Sequence, residues 1–518
     1  MSKSYGQATR QTAEAARFGV SWGRTSILCS VIVAAIVASL GCQMPEVCSR
    51  RHVVDAELAM RNGTGLGPVT APGTSVIPET VTISDGVTAD EAVTVALWNN
   101  AAFQESLAAL GVSRAQLLAA GLLPDPQVQI FFPVGPKQFE LTGYQAIDAL
   151  WLRPIRERAA ELDLMRVADQ MVQNGLNVIR DVRVAHANLL MAQQQLVFAE
   201  ETLELRREID RLAGKRSDAG AISELEAAAP HIDALQAEAD RTRAVGEVAI
   251  AQAQLLVLMG IQGSASEIVA VGLPLGSLQV PAAEEMLAEA FAVRPDLRAA
   301  ELNVQAAQER LELAKCQWFT FDGILDMNSQ GFEGYEAGPG TRFTIPIFNR
   351  NRGNIAIAEA DLNTAQRQYV TVRDQIRNDV LTSHARLMQA ARNLSDVQTK
   401  ILPATQDASD LARKNYERGG TSYLLTLQTL GQYLTARGQE IVLAGDVRRA
   451  LAELERSVGH QVECVGSVEL DLPYLPSPEE LAPLPAQDSI SPQTTLRKLP
   501  ACRPVSCQAP VPSGDCKP

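Results

Sequence analysis

The sequence predicts a mainly α-helical, duplicated chain in which each half carries a small set of membrane-type β-strands. Three observations carry that fold class. Hydrophobic residues fill 46% of the 518 positions but aromatics only 5%, the balance of long Ala-, Leu-, Glu-, Arg- and Gln-rich helices and not of an aromatic-filled globule. The dense middle of the chain repeats itself. In each half, a short run of alternating apolar and polar residues leads straight into a long helical pattern.

The repeat is read by direct alignment. AHANLLMAQQQL at 185 lies over SHARLMQAARNL at 383, pairing His186 with His384. AELDL at 160 pairs with AEADL at 358, DAGAISEL at 218 with RGGTSYLL at 418, and Gly260 with Gly459; upstream, ADEAVTVAL at 89 pairs with AEEMLAEAF at 283. A spacing near 200 residues is too long for a solenoid unit and marks a duplicated domain half. The chain divides into an export segment (1–42), a Gly-, Pro- and Thr-containing tether of little periodicity (43–85), a first repeat (86–262, strands about 125–150), a linker (263–282), a second repeat (283–460, strands about 318–348) and a Pro-rich, disordered tail (461–518).

The long helix of the second repeat is visible as a seam. Ile355, Ala358, Leu362, Ala365, Tyr369, Val372, Ile376, Val380, Ser383, Leu387, Ala390, Leu394, Val397 and Ile401 follow one another in steps of three and four, with one extra four. That is a coiled-coil seam with a stutter. Pro403 is expected to kink this helix without ending it, and the run from Gly353 to Arg418 would rise about 100 Å.

The strands alternate. In the second repeat Phe319, Phe321, Gly323, Leu325 and Met327 interleave with Thr320, Asp322, Ile324, Asp326 and Asn328; a Gly-rich loop from Gly331 to Gly340 leads to Phe343, Ile345 and Ile347. The first repeat offers Val128, Ile130 and Phe132, a turn at 134–137 and a second strand near 139–148. Two readings fit this alternation: a hairpin on a soluble core, or an outer-membrane strand pair with apolar residues out and polar residues in. Trp151 and Trp318 stand where strand meets helix, the level at which Trp collects at membrane boundaries. Lipid tolerates no open sheet edge, so several chains would have to share one barrel.

The N-terminus reads as an address. Lys3, Arg10, Arg17 and Arg24 precede an uncharged apolar run from Ile27 to Leu40, which ends on Gly41-Cys42. This is an export signal, too short for a comfortable span. It resembles a bacterial lipoprotein signal in which Cys42 is lipidated; the alternative is an ordinary signal cut nearby. No other apolar run is long enough for a transmembrane helix. Cys502, Cys507 and Cys516 sit in the tail without a neighbouring histidine, which favours disulfides over zinc.

VRPDLRAAELNVQAAQERLELAK at 293, IPIFNRNRGNIAIAEADL at 345 and YERGGTSYLLTLQTL at 416 resemble the TolC-type outer-membrane efflux proteins over residues 86–460. The resemblance implies a homotrimer in the outer-membrane lipid. Each protomer would give four strands to a twelve-stranded barrel that continues into a periplasmic α-helical tunnel. Function would be passive conduction of cargo delivered by an inner-membrane pump through a periplasmic adaptor protein. The family's adaptor-docking tips fall at Gly220, Gly419 and Gly420, where glycine accepts a positive φ without steric cost. Acidic residues beyond such tips often ring the aperture. Here Glu224 and Glu226 are the candidates, with solvated helix charges as the plainer reading, and the second repeat carries Leu425 and Gln428 in the corresponding place. The PIFNRNRG stretch is similar to the heavy-metal-exporting branch, although as a turn it is structural.

An enzyme finds little support. The histidines His52, His186, His231, His384 and His460 are dispersed, and His186 and His384 are expected on a solvated helix face. No phosphate-cradling glycine loop, nucleophile elbow or CxxC is present, so no cofactor or metal is implied. A net charge of −14 gives the chain as a whole no attraction for nucleic acid. The rival reading is a periplasmic coiled-coil scaffold or adaptor, weakened by the two equivalent halves and the lack of a β-rich lipoyl-like module.

Overall fold

The computed structural model describes residues 50–69, 71–82, 85–132, 139–220, 222–261, 268–272, 280–329, 335–418 and 420–462. The export segment with Cys42, the turn at 134–137, Gly419 and the Pro-rich tail with its cysteines lie outside the described residues.

The described elements run α1 (Arg51–Asn62), α2 (Ala89–Asn99), α3 (Ala101–Gly121), β1 (Gln127–Phe131), β2 (Glu140–Ala146), α4 (Asp148–Asp218) and α5 (Glu224–Met259). The second repeat follows with α6 (Ala283–Val293), α7 (Pro295–Cys316), β3 (Phe321–Ser329), β4 (Tyr335–Phe343) and α8 (Arg352–Asp396). A π-helical turn (Val397–Ile401), α9 (Leu402–Glu417) and α10 (Tyr423–Val458) complete it. Each repeat has its own apolar core. The first gathers Leu97, Phe103, Val172, Leu189, Leu255 and Met259 around α4, the second Met286, Ile376, Leu387, Leu454 and Val458 around α8 and α10.

The joints of the two repeats are built alike. Asn100, between α2 and α3, donates to Leu258 O at the end of α5 (2.9 Å). Arg294, between α6 and α7, donates to Ser457 O at the end of α10 (3.0 Å). In both copies a side chain satisfies a terminal carbonyl that the helix leaves without a partner. Gly260 and Gly459 then close α5 and α10 in the left-handed region, at φ 66° and 100°.

Three differences from the sequence reading have physical causes. The segment read as an aperiodic tether carries α1, whose Val54 and Leu58 are fully buried in the first core. Its stability comes from long-range partners. Arg61 donates to Gly459 O (3.1 Å) and Val293 O (2.9 Å) and pairs with Glu57, while Arg298 bridges Glu57 and Asp169 at 2.6 Å each. Burial pushes the Asp169 carboxyl up despite Arg298. Burial also opposes ionisation of Glu57, but the guanidiniums of Arg298 and Arg61 outweigh it and hold that carboxyl below its ordinary value.

His186 is the second difference. It is not solvated but 4% exposed, because its ring reaches back to the backbone of Val87. The seam is the third. Every expected seam residue of α8, and Val397, is buried or half-buried, but Ile401 is 43% exposed. The π-turn admits one extra residue. The seam therefore steps from Val397 to Leu402 and continues through Thr405, Ser409, Ala412 and Tyr416.

Candidate functional site

The four strands form one antiparallel sheet in the order β1-β2-β3-β4. Its register places Phe321 opposite Phe343, Leu325 opposite Gly143 and Pro339, and Met327 opposite Leu141. Because side chains alternate along a strand, one face collects Val128, Ile130, Leu141, Phe321, Leu325 and Phe343. Val128 is 60%, Leu325 53% and Phe343 53% exposed. A contiguous apolar face of this kind marks a lipid or partner surface.

The opposite face is polar and internally bonded. Thr142 donates to Asp326 (2.8 Å), Asn328 donates to Asp326 (2.7 Å), and Tyr144 reaches Gln129 (3.3 Å). Arg342 pairs with Asp322 across β3 and β4 (2.7 Å) and lies 4.7 Å from the centre of the Tyr144 ring. These groups have partners within the sheet, so the face can meet water without presenting unbalanced charge at those positions.

Strand β4 begins inside the stretch expected to be a Gly-rich loop, and it ends at Phe343. Gly338, Pro339 and Gly340 read as a turn, yet they pair with Asp326, Leu325 and Ile324. Ile345 and Ile347 extend beyond the strand and are 66% and 70% exposed. At this end the rings of Trp151 and Phe321 (6.3 Å), Trp318 and Phe319 (5.7 Å), and Phe319 and Phe343 (6.2 Å) form one aromatic band.

The helix tips are the other candidate. Gly220 adopts φ 68° after α4, with its N–H bonded to Ser217 O. Gly420 is not left-handed. Its N–H bonds Asn415 O (2.9 Å), and a Cβ there would meet only that carbonyl, at 3.7 Å. Both returning helices start on a serine cap, Ser223 and Ser422. Glu226 is the reciprocal partner of Ser223 in a capping box, a signal legible in the Ser-x-x-Glu spacing. Hydrogen bonds from the Ser223 backbone and side chain hold its carboxyl below its ordinary value. Glu224 is exposed in the same first turn. Between the tips, Arg216 bonds the Tyr416 hydroxyl and stacks 4.2 Å above its ring.

Among the described residues there is no His, Cys, Asp and Glu cluster able to hold a metal, and no helix is long and apolar enough to cross a membrane. Sheet, seam and duplication together make a helical protomer of two equivalent halves joined through one four-stranded sheet. The outer membrane efflux protein family matches residues 286–460. Over 401 residues the chain is 21% identical to the cobalt-zinc-cadmium resistance protein CzcC of Cupriavidus metallidurans, covering 75% of this chain and 94% of that protein. Its fold matches the outer membrane protein VceC of Vibrio cholerae (TM-score 0.61, 17% identity, 72% of this chain and 97% of that one). It also matches the CmeC outer membrane channel of Campylobacter jejuni (TM-score 0.60, 15% identity, 82% and 95%). Residues 286–460 thus match the outer membrane efflux protein family, and the chain shares its fold with these outer-membrane channels.

Proposed function

We propose that three copies of this chain close a twelve-stranded barrel and that cargo passes through it from a periplasmic adaptor and an inner-membrane pump. The observation that carries this reading is the sheet itself. Among the described residues its β1 and β4 edges pair with no further strand, while its outer face is apolar and exposed. A membrane strand cannot leave such edges open, and joining β4 of one copy to β1 of the next removes all of them. The long helices continue the pore into the periplasm, the tips at Gly220, Gly419 and Gly420 dock the adaptor, and Glu224 and Glu226 line the aperture. Cys42 carries a lipid anchor in the outer membrane. The relative's printed role makes cobalt, zinc and cadmium ions the first cargo to test.

Outer-membrane extracts should contain a heat-modifiable band of three chains that conducts in planar bilayers. A monomeric, non-conducting protein would overturn the reading and favour the scaffold alternative. Separately, Cys42→Ser should abolish labelling with a fatty-acid analogue; labelling that survives removes the anchor and leaves the channel.

A further inference from the structure

The loop 344–351 that follows β4 has a feature the pore does not use. Asn351 stands at φ 60°, donates to Ala314 O at the end of α7 (2.7 Å), and is itself bonded through its N–H to the Asn349 side chain (3.0 Å). These bonds fold the loop back onto α7 and bring Arg350 to the same cavity as Lys315. That cavity, about 740 Å³, is walled by Trp318, Ile345, Ile347 and Ile355 and has Lys315 and Arg350 among its lining residues. Arg352 follows at the start of α8, whose first turn holds no acidic residue. Among the described residues the carboxylate paired here is Glu312, bonded to Lys315 at 3.0 Å in an exposed pair, and such pairs are weak. A lysine ammonium has three donors and can serve a second anion as well. In a chain of net charge −14, this is a local cationic spot.

We propose that this cleft is a headgroup site for an anionic glycerophospholipid of the leaflet facing the periplasm. Lys315 and Arg350 take the phosphodiester, and the acyl chains lie along Ile345, Ile347 and Trp318. The assignment rests on reading the sheet as membrane strands. The chemistry of the walls selects the class: a free phosphate would use the cations but leave exposed isoleucines 66% and 70% accessible beside them, whereas a lipid covers both. The level fits as well, because Trp318 belongs to the aromatic band at the foot of the sheet.

The test uses the full chain extracted from outer membranes, with Trp151→Phe so that Trp318 reports. Trp22 leaves with the export segment, and Trp98, packed against Gly67 beside the first core, gives a constant background. Phosphatidylglycerol brominated near its ester end should quench Trp318 at a lower mole fraction than phosphatidylcholine brominated alike, and added salt should narrow the gap. Neutralising each cation, as Lys315→Gln and Arg350→Gln, should raise the required fraction about fivefold, while Arg350→Lys restores it. A heat-resistant band from each variant shows that assembly is intact. Equal quenching by the two lipids, in wild type and variants, overturns the site while leaving the barrel standing. Release of quenching by millimolar inorganic phosphate overturns the lipid assignment. Quenching by neither lipid overturns the membrane-strand reading itself.

Discussion

His186 and Val87 are joined by a buried contact of 2.8 Å between Nε2 and the carbonyl oxygen. A carbonyl can only accept, so the ring is held with its proton on Nε2. The second repeat makes the same link, from His384 to Pro281 O at 3.1 Å. Each histidine of the long helix thus ties down the chain just before a short helix begins, at Thr88-Ala89 in one copy and at Ala282-Ala283 in the other.

The buried member of this pair makes stability depend on pH. Burial lowers the His186 pKa from its ordinary 6.5, with the bond to Val87 O and nearby Asp90 opposing the shift and Arg448 adding to it. Below pH 6.5 the unfolded chain takes up a proton that the folded chain refuses. Stability is therefore kept above that pH and lost as pH falls, at up to about 1.4 kcal/mol per unit. Urea unfolding of His186→Gln between pH 5 and pH 7 should show this component of the slope removed. A slope matching the wild type would assign the pH dependence to other groups.

The two faces of the sheet should respond differently to charge. Arg at an outward midplane position of a barrel costs about 2–4 kcal/mol, so Leu325→Arg should deplete the heat-resistant trimer. Asp326→Arg should assemble and change conductance, because Asp326 shares the polar face with Thr142 and Asn328. Equal assembly of both variants would refute the assignment of faces.

Arg61 clamps α1 to the ends of α6 and α10. Replacing it with Met leaves Val293 O and Gly459 O without this donor and Glu57 without one of its two cations. A loss of about 3 kcal/mol is expected, since removing one partner of a buried charged contact strands the other. Arg61→Lys should rescue little of it, because one ammonium does not reproduce the planar fork. Limited proteolysis within 51–62 should accelerate in both variants.

At the tips, Gly220→Val places a branched side chain at φ 68° and is strained even though space is open. Gly420→Ala meets neither obstacle. Adaptor crosslinking and export should fall with the first and persist with the second. For the aperture, Glu224→Gln with Glu226→Gln should weaken cation selectivity in planar bilayers. Unchanged selectivity would leave Glu226 as the Ser223 cap and nothing more.

The repeat, the α8 seam and the alternation of β3 were legible because each is a periodic signal carried by many residues. What stayed hidden depends on single long-range contacts. Helix α1 is 12 residues long, too short to announce itself, and its partners Val293, Gly459 and Arg298 lie more than 200 positions away. The start of β4 was concealed because Gly338, Pro339 and Gly340 have turn chemistry, while β3 supplies the pairing that makes them strand. At the tips, local residue type pointed to Gly220 and Gly420 alike, and the backbone angle separates them.

The seam shift at the π-turn divides the long helical run of the second repeat into unequal lengths of hydrogen-exchange protection. Above it, Ile376, Val380, Leu387 and Leu394 are buried aliphatic side chains. Below it, the inward positions between Leu402 and Tyr416 pass to Thr405, Ser409 and Ala412, which remove little apolar surface from water. Local opening needs less free energy where fewer apolar contacts must break. Amides from Leu402 to Tyr416 should therefore exchange with deuterium well before those of α8, so that the lower segment opens as a separate unit while the upper one stays closed.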